Sequence, residues 1–281
     1  MNRRARRGVA LLVVLWTIMM LAAVTAVASS AARSSADVAS ARRAGTVARA
    51  MAESGIALAT ARIDNVLRRA AADSNARNVY LDALESNAVR GEALAADTLG
   101  DGVLAVTAVD VSARLDVNAA GLEGWYLLLR AFVGEADARR VAARVDDHIR
   151  GRNGDRDIAA AAARAARDSL VASLLGRDVS PTGSRRIESL DDLLEIPGID
   201  LALLERIAPL LTVDGNGTIN RRTASPAVLA AASGSLVDHP VRLLLVSRGW
   251  MRGHPLTREI EAVYDIAEDG LRLVRWRERE R

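Results

Sequence analysis

Arg6-Arg7-Gly8-Val9-Ala10-Leu11-Leu12-Val13-Val14-Leu15 opens an uncharged run that lasts to Ala32, and its reading decides what the rest of the chain can be. The run holds 24 residues, with Arg3, Arg4, Arg6 and Arg7 on one flank and Arg33 on the other. As a helix it extends roughly 36 Å, enough to span the hydrocarbon core of a bilayer. The arginine excess on the short flank predicts that the stub stays cytoplasmic and the remainder lies outside. A second reading stays open from the residues alone. Ala26-Val27-Ala28 after an apolar stretch satisfies the small-x-small pattern of a cleaved secretory signal peptide.

Composition narrows the remainder. The 281 residues are 50% apolar and 26% charged, enough for a sizeable core, with only four Trp, three Tyr and one Phe. A core built from Ala, Leu, Val and Ile favours packed helices over a large sandwich. All 38 basic residues are Arg, which excludes a phosphate-loop lysine and lysine Schiff-base chemistry. The isoelectric point near 10 is misleading: without residues 1–8 the chain carries 34 Arg against 35 acids. A nearly neutral body with eight aromatics has no footprint for phosphate backbones or base stacking, so no nucleic acid is expected as a partner. With no cysteine there is neither a disulfide nor a thiolate metal site.

The basic leader ending in Gly8 directly against the apolar run resembles the signal of prepilins and pseudopilins. That resemblance implies cleavage after Gly8 by the membrane prepilin peptidase, retention of the apolar run, and Val9 as methylated mature residue one. Prepilins usually carry Glu at the fifth mature position, and Val13 stands there. A residue other than Glu is the habit of the K-type minor pseudopilins (GspK) of type II secretion systems. Ala50-Met51-Ala52-Glu53-Ser54-Gly55-Ile56-Ala57-Leu58-Ala59 is similar to a stretch of pseudopilin first helices.

Arg33 to about Asn75 is Ala- and Arg-rich without Pro and continues the membrane helix as an amphipathic half. Leu99-Gly100-Asp101-Gly102 ahead of Val103 to Val109 reads as a hairpin turn feeding a strand. The superficial dinucleotide fingerprint Gly100-x-Gly102-x-x-Ala105 has strand and helix in the wrong order. Leu122 to Val133 and Ala136 to Ile149 have helical spacing and follow Leu115-Asp116-Val117-Asn118-Ala119-Ala120. Thr218-Ile219-Asn220-Arg221-Arg222-Thr223-Ala224, ahead of a helix from Pro226, repeats that phrase, and both resemble phrases of the K-type pseudopilins. Asn118 and Asn220 are expected to bond nearby backbone N–H groups as turn or cap residues. Near the C-terminus, Val241 to Ser247, Arg258 to Ile266 and Gly270 to Trp276 read as strands, with a hairpin at Asp269-Gly270. This meander is expected to join the Val103–Val109 strand in one sheet packed on the first helix.

Ile187 to Ile207 is the most specific internal signal. Ser189 and Asp192 form a capping pair, Pro197-Gly198 forces a turn, and Asp200 caps a second helix. Leu190, Leu193, Leu194, Ile196, Leu203, Leu204 and Ile207 would pack the two helices together. The motif resembles a helix-hairpin-helix, often used to hold DNA phosphates. Asp191, Asp192, Glu195 and Asp200 give it the wrong charge for phosphate, and a similar phrase recurs in K-type pseudopilins. A membrane-anchored DNA-binding protein is the alternative reading.

No catalytic constellation stands out: His148, His239 and His254 are the only histidines, each expected on the surface or in a turn, and no H-E-x-x-H or G-x-S-x-G occurs. Asn153-Gly154-Asp155-Arg156-Asp157, near Asp146 and Asp147, mimics alternate calcium ligands. Ile158 and Arg164 stand where an EF-hand needs Gly and Glu, and Arg150, Arg152 and Arg156 compete, so a solvated loop is favoured and no cofactor is expected.

Taken with the resemblance, the expected fold class is α+β: a pseudopilin fold with a long N-terminal transmembrane helix, a small antiparallel sheet and a large all-helical inserted domain. The expected organisation is a leader at 1–8, a membrane segment at 9–32, a periplasmic helix at 33–75, a first core part at 76–115, the helical insert at 116–212 and the C-terminal β core at 213–281. The resemblance implies a non-enzymatic subunit in the inner membrane, single pass with a periplasmic C-terminal domain, at the tip of the pseudopilus. Its partners would be the I- and J-type minor pseudopilins, the prepilin peptidase and exported proteins.

Overall fold

The computed structural model describes residues 3–150 and 186–280, the backbone alone for 3–13 and 280. Arg3–Arg69 forms one unbroken helix, α1, roughly 100 Å long. Its two halves differ in what covers them. From Ala52 the residues Ala52, Ile56, Ala59, Ile63 and Leu67 recur at intervals of three or four and, with Met51, are buried on a sheet. From Val14 to Val38 the large apolar side chains are exposed, Trp16 at 66% and Leu21 at 70%.

α1 ends six residues before the expected Asn75. Asp73 accepts from the N–H groups of Asn75 and Ala76 and starts a second helix, α2 (Ser74–Arg90), which Gly91 closes at φ 64°. The sequence holds no Pro or Gly there, so the cap at Asp73 was hidden in an apparently continuous helical composition. Leu81 and Leu84 of α2 join the same core as α1.

The sheet has the order β1 (Ala93–Leu99), β2 (Gly102–Asp110), β7 (Arg242–Met251), β8 (Thr257–Ala267), β9 (Gly270–Glu280), every neighbour antiparallel. β1 (Ala93–Leu99) and β2 (Gly102–Asp110) form the hairpin around Gly100-Asp101, so a turn, and no nucleotide-binding loop, occupies these glycines. β2 alternates between buried and half-buried residues, with Leu104, Val106 and Ala108 facing α1. Its other neighbour is β7 (Arg242–Met251), and β8 (Thr257–Ala267) and β9 (Gly270–Glu280) complete the sheet. The expected meander and its joining to the Val103–Val109 strand are thus present. The fold is α+β.

Between β2 and β7 the chain leaves the sheet to build a second apolar core. It departs at β3 (Leu115–Asp116) and returns at β4 (Leu211–Thr212), and these two pair in parallel, closing the base of the excursion. α3 (Gly121–Leu129) and α4 (Glu135–Arg150) pack through Trp125, Leu128, Leu129, Ala138, Val141 and Val145. Trp125 is fully buried and donates its indole N–H to Val117 O at 3.2 Å. A 3₁₀ helix at Leu190–Glu195 and α5 (Leu201–Ile207) add Leu193, Ile196, Leu203 and Ile207.

This core extends past residue 212, the expected end of the insert. Val213, Ile219, Val228 and Ala231 belong to it as well. β5 (Ile219–Asn220) pairs in parallel with β6 (Leu236–Val237), and α6 (Pro226–Ala231) packs on α3 where Gly124 has no side chain to keep them apart. The repeated strand-Asn-helix phrase therefore folds back onto its first copy, and the sheet resumes only at Arg242.

Candidate functional site: the uncovered half of the first helix and the acidic hairpin

Gly8, Val9 and Val13 all lie within α1 as helical backbone. The helix from Val14 onward contains a window of mean hydropathy 1.9 with none of its residues buried, long and apolar enough to cross a membrane. Burying a Leu-sized side chain is worth about 1.5–3 kcal/mol, so a row of exposed Leu, Ile, Val, Met and Trp is stable only in lipid or against other apolar helices. Thr17 and Thr25 turn their hydroxyls back to the carbonyls of Val14 and Leu21 at 2.8 Å, which satisfies their polar atoms inside the helix.

Below this segment the helix stands over the sheet at very close range. A Cβ at Gly249 would lie 2.1 Å from Ala48 O, and one at Gly55 would lie 2.2 Å from Ser247 Oγ. These two glycines set the approach of α1 to β7. Gly55 lies within the Ala50–Ala59 stretch, and the reason for a glycine there becomes visible only with Ser247 beneath it.

The hairpin at Pro197 and Gly198 belongs to the helical core, which takes no residue of α1. Gly198 has φ 102°, reachable without strain only by glycine, and a Cβ there would strike Val141 Cγ2 at 2.7 Å. Arg144 of α4 donates to Pro197 O at 2.8 Å. The turn is thus seated on α4, with Asp191, Glu195 and Asp200 exposed around it. The expected caps are in place: Ser189 Oγ accepts from Asp191 N, Asp192 accepts from the N–H of Ser189, and Asp200 Oδ1 accepts from Leu203 N at 2.8 Å.

Two expectations for this motif need correction. The first helix is 3₁₀ over six residues, two turns fitted between the cap at Ser189 and Pro197. Leu194 is 42% exposed and does not pack with the other six apolar residues, since 3₁₀ geometry turns it away from the side on which Leu193 is buried.

The asparagines reach further than turn residues would. Asn118 Oδ1 accepts from Ile187 N at 2.9 Å and its Nδ2 donates to Ile187 O at 3.0 Å, joining segments 69 residues apart. Asn220 does accept from Arg222 N, as a turn residue should, yet it is fully buried and donates to Asp110 Oδ2 at 2.9 Å. Asp110 also takes Thr223 Oγ1 and Ser112 N, so this carboxylate joins the second core to the end of β2.

The suggested calcium ligands Asn153 to Asp157 lie outside the described residues. Asp146 is buried and paired with Arg150 at 2.8 Å, an internal use of its charge. His254 is a turn residue whose Nδ1 accepts from Leu256 N, and His148 lies half-buried on α4. His239 lies in the bend ahead of β7, with its side chain 25% exposed. It faces Asp82 and Glu85 of α2, and the sequence gives no sign of this beyond the i, i+3 spacing of the two acids.

The described residues thus define an α+β protein carried on one long amino-terminal helix, whose free half has the length and hydropathy of a membrane span. No protein-family model matches the chain, and no curated protein does. Among solved structures, a chain of the GspK-GspI-GspJ complex from the type 2 secretion system of enterotoxigenic Escherichia coli is similar, at 14% identity and a TM-score of 0.47, over 74% of this chain and 94% of that one.

Proposed function

We propose that this chain is a K-type minor pseudopilin, a non-enzymatic subunit at the tip of a type II secretion pseudopilus that starts or caps its assembly. The observation that carries the reading is the division of α1: one helix runs from the Gly8-Val9 junction through an uncovered apolar half into a half buried on an antiparallel sheet. A helix so divided suits a subunit that rests in the inner membrane and later exchanges lipid for neighbouring helices. The prepilin peptidase would cut after Gly8, leaving Val9 as the mature N-terminus and the domains beyond α1 in the periplasm.

Val13 supports the tip position. A carboxylate at the fifth mature position would neutralise an N-terminal amine within an apolar helix bundle, where an unpaired charge is very costly. Valine cannot do this, so repeated incorporation along a shaft is disfavoured, whereas one terminal place is tolerable. The second core adds a head too bulky for a subunit to stack above. The partners are then other minor pseudopilins, of the I and J types, held along α1 and the sheet.

Mass spectrometry of the protein from its native membrane tests the processing step. A chain starting at methylated Val9 is expected, and Gly8→Leu should keep the leader because the longer side chain does not fit a subsite shaped for glycine. A start at Ser29 would mean an ordinary signal peptide and overturn the proposal. A photo-crosslinker at Val27 or Val38, both exposed on α1, should capture minor pseudopilins in preference to the major one. Recovery of this chain at regular intervals along sheared filaments would contradict the tip assignment.

A further inference from the structure

Glu85 occupies an unusual position for a carboxylate. Its side chain is 9% exposed, Oε2 has no hydrogen-bond partner, and the nearest cation is Arg222, whose Nε stands 3.8 Å from Oε1. A buried carboxylate with one bare oxygen and a distant counter-ion is incompletely compensated. The bare oxygen is not alone. One turn earlier on α2 is Asp82, and opposite, from the loop that leads into β7, comes His239. Its Nδ1 is buried, also lacks a hydrogen-bond partner, and lies 3.3 Å from Asp82 Oδ1. One ligand atom from each of the three side chains lies within 4.8 Å of the others.

We propose that Asp82, Glu85 and His239 bind a divalent transition-metal cation of the zinc type. The donor set decides the class: one imidazole nitrogen and two carboxylates suit a borderline cation, whereas calcium takes six to eight oxygens. One separation already matches such a site, and the three ligand atoms all lie within 4.8 Å of one another. Ligands about 2.0–2.2 Å from a tetrahedral zinc are roughly 3.3–3.5 Å apart, the separation already present between His239 Nδ1 and Asp82 Oδ1. A cation there would give Glu85 Oε2 and His239 Nδ1 the partner each lacks. Arg222, which donates to Asp82 Oδ1, competes for the same charge, and its half-exposed side chain has solvent to swing into when the cation enters. The three ligands come from both sides of the junction between α2 and the 220–239 segment, so the metal would fasten the sheet body to the end of the helical excursion.

The test uses the full chain in detergent micelles, without a histidine tag, titrated with Zn²⁺ against a competing chelator. One zinc per chain is expected. Glu85→Gln and His239→Ala should each weaken binding by more than the roughly 10- to 100-fold lost when a residue merely supporting a ligand is removed. Arg222→Met should tighten binding, an effect that a purely structural ion pair would not produce. X-ray absorption of the zinc-loaded wild-type chain needs no variant, and its first shell should contain one imidazole among oxygens. No zinc uptake, uptake indifferent to Glu85→Gln, or a first shell without a single imidazole would overturn the proposal.

Discussion

Gly249 lies where β7 passes beneath α1, and its missing side chain is what lets the two touch. A Cβ would stand 2.1 Å from Ala48 O and 2.4 Å from Ala52 N, both backbone atoms of a helix that cannot bend locally out of the way. Gly249→Ala should therefore destabilise the protein by about 3 kcal/mol or more, the upper end of what overpacking costs. Gly102→Ala should be milder, because the atoms it meets are Met51 Cγ and Sδ at 2.6 Å, and the thioether chain can rotate aside. Gly45 has no atom within 4 Å of such a Cβ. Gly45→Ala should stabilise by up to about 1 kcal/mol through helix propensity alone. Chemical denaturation of the three variants checks the ranking, and equal losses at Gly249 and Gly102 would refute this account of the helix-sheet contact.

At the scale of elements, the Ser189–Ile207 segment shows how local signals and packing divide the work. Its caps were legible because each joins residues within four positions: Ser189 with Asp192, and Asp200 with Leu203. Which leucine is buried was not legible, since α and 3₁₀ turns differ by about 0.6 residue per turn and rotate successive side chains differently. Leu193 is fully buried and Leu194 is not. Leu193→Ala should cost about 2–5 kcal/mol and Leu194→Ala well under 1 kcal/mol. Thermal melts of the two variants separate these values. A large loss at Leu194 would restore the α-helical packing read from the sequence.

Across the whole molecule, two apolar cores meet through polar contacts. Arg242, 11% exposed in its side chain, pairs with Asp265 at 2.6 Å and donates to the carbonyls of Asp214 and Gly215. Arg275 pairs with Asp214, and Arg275 and Arg277 both donate to Glu188 O. Asp116, at the base where β3 and β4 pair, lies 7% exposed near this junction. Burial raises its pKa, and this outweighs the N–H of Asn118 and the charges of Arg186 and Arg242, which lower it. A group whose pKa is raised on folding favours the folded state most below its ordinary carboxylate value, and that contribution is lost as pH rises through the raised one. Asp116→Asn keeps an acceptor for Asn118 N and removes the charge. It should raise the melting temperature at neutral pH, with the gain shrinking as the solution is acidified. A gain that grows on acidification would show that burial is not the dominant influence on Asp116.

The sequence by itself determined the features that depend on near neighbours: the apolar run after Gly8, the hairpin turns at Gly100-Asp101 and just ahead of Gly270, and the caps at Ser189 and Asp200. Each is fixed by residues a few positions apart, so composition and spacing carry it. Only the tertiary structure decided that α1 leaves half its length uncovered, that Val213 to Ala231 join the helical core, and that Asn118 ties to Ile187 and Asn220 to Asp110. It alone placed His239 against Asp82 and Glu85. These depend on which surfaces remain apolar after the local elements form, and on polar atoms that need partners once buried. Residues far apart in the chain supply those partners, and their pairing follows from packing rather than from spacing.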